Sequence, residues 1–266
     1  IKMSFVYAVK DSIKISDVNY YKIDVFSDTK ITFGKYGNII WDKEKFKLIE
    51  KYGLIKCMIV SEKCCVSFAG NDIFRANELL TSIYKDRNVD PQGIIKKAYA
   101  IHCSCLDKND IEFIVCFCDK YEQLHITCIK DGECYADVDS AYIGSSSSYK
   151  VMQHKRLLYN TKSINTIFDE VLNSTIDDSV GGFTIQASYS PFDKTFSYPQ
   201  IYKTYYEKKQ VVKPGQSVIV YGDASEGGYS LCYSKNQNEL MIYVYQGQFS
   251  INYKMDLTST NNKMKY

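Results

Sequence analysis

Hydrophobic and polar positions change period several times along the chain, and the clearest change lies within Leu54 to Tyr84. Two apolar runs, Ile55–Val60 and Cys64–Phe68, flank the polar Ser61-Glu62-Lys63, which predicts two buried strands joined by a tight turn. The second run ends in Ala69-Gly70-Asn71-Asp72, after which Ile73, Ala76, Leu79, Leu80 and Ile83 recur at helical spacing. Asn71 or Asp72 is suited to cap that helix. A buried strand that hands the chain to an amphipathic helix in this way belongs to a layered sheet-and-helix fold.

The rest of the chain extends the pattern. Ser4–Val9 and Tyr21–Phe26 predict an N-terminal hairpin, joined by a polar connection that holds Asp11, Asp17 and Asn19. Gly34–Asn38 reads as a loop and leads into a charged stretch up to Lys51. After the break at Asp90-Pro91, Ile94–Ala100 reads as a short helix. Residues 99–105, Ile111–Cys118 and Leu124–Ile129 read as strands of an antiparallel meander, with turns at Lys108-Asn109-Asp110 and Asp131-Gly132. Ala141–Gly144 ends a strand, and Ser145–Ser148 is either a short linker or a small-residue turn before helices at Tyr149–Tyr159 and Ile164–Leu172. Asp177–Gly182 then leads into a strand at Phe183–Ser188, and two further strands, Ser217–Tyr221 and Leu240–Tyr245, lie around the turn-rich Gly222–Gly228. Residues 255–266 are polar and expected to fray. This order predicts an α+β protein in which two antiparallel sheets pack face to face with helices outside.

Composition narrows the choice of partners. A length of 266 residues suits one large domain or two small ones. The net charge of +2, with no basic block, favours neither nucleic acid nor an anionic membrane. The 24 tyrosines against one tryptophan favour strands. No window reaches the eighteen or so apolar residues of a membrane span, and no signal pattern opens the chain, so a cytoplasmic location is expected. In that compartment the ten cysteines are expected to be reduced thiols. Cys103/Cys105 and Cys116/Cys118 would each share one face of a strand, as buried structural thiols in preference to metal ligands helped by His102 or His125. His102, His125 and His154 form no spacing motif with a serine or cysteine, and Gly222–Gly228 lacks the Lys-Ser/Thr ending of a phosphate loop. No metal and no cofactor is implied.

Four segments, taken in order, resemble the N-terminal-nucleophile (Ntn) hydrolases, specifically proteasome β-type subunits and the peptidase subunit of the bacterial two-component ATP-dependent protease. Ser4-Phe5-Val6-Tyr7-Ala8-Val9 is similar to the family's first strand, which starts with the nucleophile. Phe26-Ser27-Asp28-Thr29-Lys30 resembles its small-Asp-small-basic segment, and Lys56 falls where the family places its active-site lysine. Val66-Ser67-Phe68-Ala69-Gly70 resembles the strand-to-helix junction, and Asp177 to Gly182 the Asp-x-x-Ser-Gly-Gly segment.

The resemblance covers about residues 3 to 190. It implies a four-layer α-β-β-α sandwich, a single domain over residues 1–266 in which roughly 190–266 is a β-rich C-terminal extension, and a hydrolase acting on a peptide or amide substrate. Ser4 would be nucleophile and, through its own α-amine, base. Lys56 and Asp28 would give electrostatic support, Gly70 the oxyanion donor, and Asp177 would complete the set. Assembly into a homo-oligomer and docking of an ATPase or another protein are further implications. Ile1-Lys2-Met3 precede Ser4, so its amine is free only after their removal. Ser4 stands where protease members carry Thr, and Val180 where they carry Ser, with Ser179 beside it. A catalytically silent, proteasome-like scaffold or interaction subunit is the alternative, and an unrelated β-rich binding protein is a third.

Overall fold

The computed structural model describes residues 4–28, 56–85, 90–172, 174, 177, 179–181 and 184–197, together with the strands between 217 and 256. Contacts group the chain into two units, Ile1–Asp28 with Lys56–Tyr198, and Thr29–Ile55 with Pro199–Tyr266. The predicted loop at Gly34–Asn38 and the charged stretch to Lys51 lie outside the described residues.

In the first unit, β1 (Phe5–Ile15) and β2 (Val18–Ser27) form one hairpin, and β3 (Cys57–Ser61) and β4 (Cys64–Gly70) another. Helices α1 (Ile73–Lys85) and α2 (Pro91–Ser104) follow, then β5 (Ile111–Cys118), β6 (Leu124–Lys130), β7 (Glu133–Tyr135) and β8 (Ser140–Gly144). Helices α3 (Ser146–Leu158) and α4 (Ile164–Leu172) lead to β9 (Ile185–Ser190) and β10 (Thr195–Ser197). The strands form two five-stranded antiparallel sheets, ordered β10-β9-β2-β1-β8 and β3-β4-β5-β6-β7. The class is therefore mixed α+β, as the alternation of patterns predicts.

Both faces of the central strands are covered. Phe5, Tyr7, Val9 and Phe26 on the first sheet form one cluster with Met152 of α3 and Ile167, Phe168, Val171 and Leu172 of α4. The Phe168 ring stacks on Phe5 at 5.0 Å and on Phe26 at 5.6 Å. The alternate positions Val6 and Ala8 are buried as well, on the side where β1 meets β4 and β6 of the second sheet. The second sheet carries α1 and α2, and every residue of β5 is buried. His102 of α2 locks this side: Gly132 N–H donates to its Nε2 at 2.8 Å, so Nδ1 carries the proton and donates to the Ile111 carbonyl at 2.6 Å.

Residues 99–105, predicted as a strand, instead belong to α2 and its C-cap. Asp90 accepts from the N–H groups of Gln92 and Gly93 with Pro91 opening the helix, and Ile94, Ala98 and His102 then fall on one buried face at intervals of four. Cys103 and Cys105 consequently share no strand face, and Cys103 is exposed, whereas Cys116 and Cys118 are buried on one face of β5. The N-terminal hairpin is also longer than its hydrophobic pattern. Ser16 and Asp17 turn with φ of 48° and 66°, the two left-handed positions of a tight hairpin. In the polar part of the ribbon Lys22 pairs across the strands with Asp11 and along its own strand with Asp24.

Ser145 caps α3 by accepting from Ser148 N–H at 3.1 Å, so the serine run is a helix start. In the second unit β11 (Ser217–Tyr221), β12 (Gly228–Ser234), β13 (Glu239–Gln246) and β14 (Phe249–Asp256) pair consecutively as an antiparallel meander. Strands β12 and β14 add to the two expected there. Among the described residues no helix is long and apolar enough to cross a membrane.

Phe168→Ala should remove the ring shared by Phe5 and Phe26 and lower stability by about 3–5 kcal/mol, read as a fall in the urea midpoint at unchanged slope.

Candidate functional site

The first sheet delivers Ser4 at the start of β1 and Asp28 just past β2, and the second sheet delivers Lys56 just ahead of β3. All three are buried, at 4%, 0% and 1% exposure. Asp28 Oδ1 accepts from Lys56 Nζ at 2.8 Å and from the Phe5 N–H at 2.9 Å, and Oδ2 accepts from the Gly181 N–H at 3.5 Å. Asp28 N–H in turn donates to the Phe5 carbonyl at 3.1 Å. A lysine inside an apolar stretch needs a partner when it is buried, and Asp28 is one. Burial pushes the Asp28 carboxyl up, while Lys56 and the Phe5 and Gly181 N–H groups pull it back; burial is the larger effect, and the carboxyl lies above its ordinary range.

Ser4 itself has φ of 123°, a region that side-chain-bearing residues rarely occupy. Its carbonyl accepts from Ser145 N–H at 2.8 Å. The adjoining Gly144 has φ of 83°, and a Cβ there would lie 2.1 Å from the Ser4 carbonyl oxygen. No side chain fits at that position, so the turn between β8 and α3 can close on Ser4 only through a glycine.

Asp177 lies on the same side through Ser145. Its Oδ2 accepts from the Ser145 hydroxyl and, at 3.0 Å, from that of Ser147; its Oδ1 accepts from the Ser179 hydroxyl at 2.5 Å and from the Ser179 N–H at 3.0 Å. Partial burial pushes the Asp177 carboxyl up, but the bonds from Ser145, Ser179 and Ser147 outweigh it and hold the group below the usual carboxylate range. Ser179, the neighbour of Val180, thus supplies a hydroxyl bonded to Asp177, and Val180 packs into the helix-side core. Asp178 and Gly182 lie outside the described residues.

Gly70 ends β4 with φ of 145°, and a Cβ there would lie 2.2 Å from the Asp110 carbonyl oxygen. That carbonyl also accepts from the Asn71 and Asp72 N–H groups. Local packing alone therefore requires a glycine at position 70. Its neighbour Ala69 comes within 3.1 Å of the Gly144 Cβ position, which places the β4 end close to the Ser4 turn.

Ser145, Gly144 and Glu112 escape motif reading. Glu112 is the one charged residue in the otherwise apolar run of β5 and is 1% exposed, and its Oε2 accepts from the Gly144 N–H at 2.7 Å. A lone carboxylate in a run that reads as fully buried is the signal that could have found it. Burial pushes the thiols of Cys64 and Cys128 up to about 12, away from the nucleophilic thiolate form. Among the described residues no group of three or more His, Cys, Asp or Glu side chains is arranged to hold a metal ion.

Lys56→Met should cost about 3–5 kcal/mol, because the Asp28 carboxylate stays buried without its ammonium. Removing that cation raises the folded-state pKa of Asp28 further above its unfolded value. The loss should therefore be smallest near pH 4 and grow as pH rises, and adding Asp28→Asn should recover part of it in urea titrations. Asp177 has the opposite sign: its depressed pKa contributes stability above about pH 4 that disappears as pH falls. Asp177→Asn should flatten that acid limb in the same measurements. No protein-family model matches the chain, and no curated protein matches it either.

Proposed function

We propose that the chain is a proteasome-like N-terminal-nucleophile amidohydrolase or peptidase built on a four-layer α-β-β-α sandwich, with Ser4 as its nucleophile once residues 1–3 are removed. The observation that carries this reading is the Asp28 carboxylate, which grips Lys56 Nζ with one oxygen and, with that same oxygen, the N–H of the residue after Ser4. A buried cation is thereby fixed at the start of β1, where a developing negative charge is stabilised most strongly.

With the amine free, the Ser4 hydroxyl attacks the scissile carbonyl. The α-amine, with an ordinary pKa of about 7.7–8.0, takes the hydroxyl proton and returns it to the leaving amine. Lys56 stabilises the charge that develops at the hydroxyl oxygen, and Asp28 orients the lysine. The Gly70 N–H serves as oxyanion donor. Asp177 fixes Ser145, whose N–H holds the Ser4 carbonyl. The positive φ of Ser4 costs about 1–3 kcal/mol. Removing residues 1–3 deletes the peptide bond that defines this angle, so the constraint ends as the amine appears. No cofactor takes part. The substrate is a peptide or amide, and self-association and docking of an ATPase or other protein belong to the same reading. A silent scaffold is the second reading, favoured by the burial of Ser4 and by the three residues ahead of it.

A chain produced to begin at Ser4 should hydrolyse a fluorogenic peptide, whereas one retaining residues 1–3, with its mass confirmed, should not. Ser4→Ala should reduce the activity to background, and Lys56→Met should lower it by about 100-fold or more. A folded chain with a free Ser4 and no hydrolysis would leave the scaffold.

A further inference from the structure

We infer that Glu112 is a positioning residue for Ser4, acting across the two sheets through Gly144; the inference rests on the hydrolase reading above. Glu112 lies on β5 of the second sheet, paired with Ala69 of β4, and its side chain crosses to β8 of the first sheet. There its carboxylate accepts the Gly144 N–H at 2.7 Å in a buried setting. A buried N–H needs an acceptor, and a hydrogen bond made away from water is stronger than an exposed one.

The Gly144 N–H matters because of what the next groups do. Gly144 sits at φ of 83° and passes against the Ser4 carbonyl too closely for any Cβ. The next N–H, that of Ser145, donates to that carbonyl at 2.8 Å. Pairing between β1 and β8 ends here, at Phe5 with Gly144, so beyond it the sheet ladder no longer sets the turn. Glu112 supplies the missing constraint from the opposite sheet, and Ala69, its partner in register, packs under the same turn. The carboxylate is thus a brace on the clamp that fixes the Ser4 backbone, and touches neither substrate nor nucleophile.

The test uses the chain that begins at Ser4, with Glu112→Gln and Glu112→Leu. The amide oxygen of glutamine still accepts from Gly144, and leucine cannot. For Glu112→Leu, kcat on the fluorogenic peptide should fall about 10- to 100-fold with KM within about twofold, because the lost interaction positions the reacting group and binds no substrate. Glu112→Gln should stay within about threefold of the parent. Hydrogen exchange at the Gly144 and Ser145 amides should quicken about tenfold or more in Glu112→Leu and remain slow in Glu112→Gln. Parent-like kcat in Glu112→Leu, or a loss of equal size in both variants, would overturn the role of the acceptor. Should Glu112→Leu fail to fold, the parent protein decides: a Gly144 amide that exchanges as fast as exposed loop amides overturns the brace, and a protected one supports it. Absence of hydrolysis by the parent chain would overturn the hydrolase reading and this inference with it, an outcome distinct from hydrolysis that ignores position 112.

Discussion

The ion pair between Asp28 and Lys56 is the constraint on which the arrangement around Ser4 depends. Each partner comes from a different sheet, and both are out of contact with water. Withdrawing two charges from solvent is costly, and their attraction offsets that cost only when geometry and further hydrogen bonds are good. Here the carboxylate is also bonded by the N–H groups of Phe5 and Gly181, which come from chain segments far apart in sequence. Sliding β2 against β1, or moving β3 away from both, would expose a carboxylate to an apolar interior. The pair therefore adds specificity to the docking of the sheets, and its net contribution to stability is small beside that of the aromatic cluster under α3 and α4.

Much of this was legible where a residue's chemistry contradicts its surroundings. Lys56 stands out because it is a charged residue inside an apolar run, and the family resemblance names Asp28 with it. Gly70 and its turn were legible too, since a strand followed by small residues and a helical period has few structural solutions. The hairpin of β3 and β4 and the helix after it follow from local pattern alone. What escaped was set by tertiary partners. Residues 99–105 have a strand-like composition, but the Asp90 cap and Pro91 start a helix that runs through them, and cap geometry outweighs propensity. The polar half of β1 and β2 lacks alternation because it has no buried face, and backbone pairing continues through it to the turn at Ser16 and Asp17.

The companions of Asp177 escaped for a related reason. Ser145, Ser147 and Ser179 are spread over more than thirty positions, and serine is so common in turns that only their convergence on one carboxylate distinguishes them. Glu112 is similar: its strand reads as entirely buried, which is correct, and the glycine N–H that its side chain accepts comes from the other sheet. Sequence reading finds a residue that needs a partner more readily than it finds the partner.

These separate bonds converge on one short piece of backbone. The Phe5 N–H is held by Asp28, the Phe5 carbonyl by the Asp28 N–H, and the Ser4 carbonyl by the Ser145 N–H. Every backbone group between the Ser4 carbonyl carbon and the Phe5 carbonyl is therefore fixed, by elements from both sides of β1. The ψ of Ser4 and the conformation of Phe5 are consequently not adjustable, and the freedom left near the start of β1 lies in the Ser4 side chain and in the groups on its amino side. The start of β1 is in this way tied to a buried cation through a single carboxylate oxygen, since the Asp28 Oδ1 that holds the Phe5 N–H also holds the Lys56 ammonium.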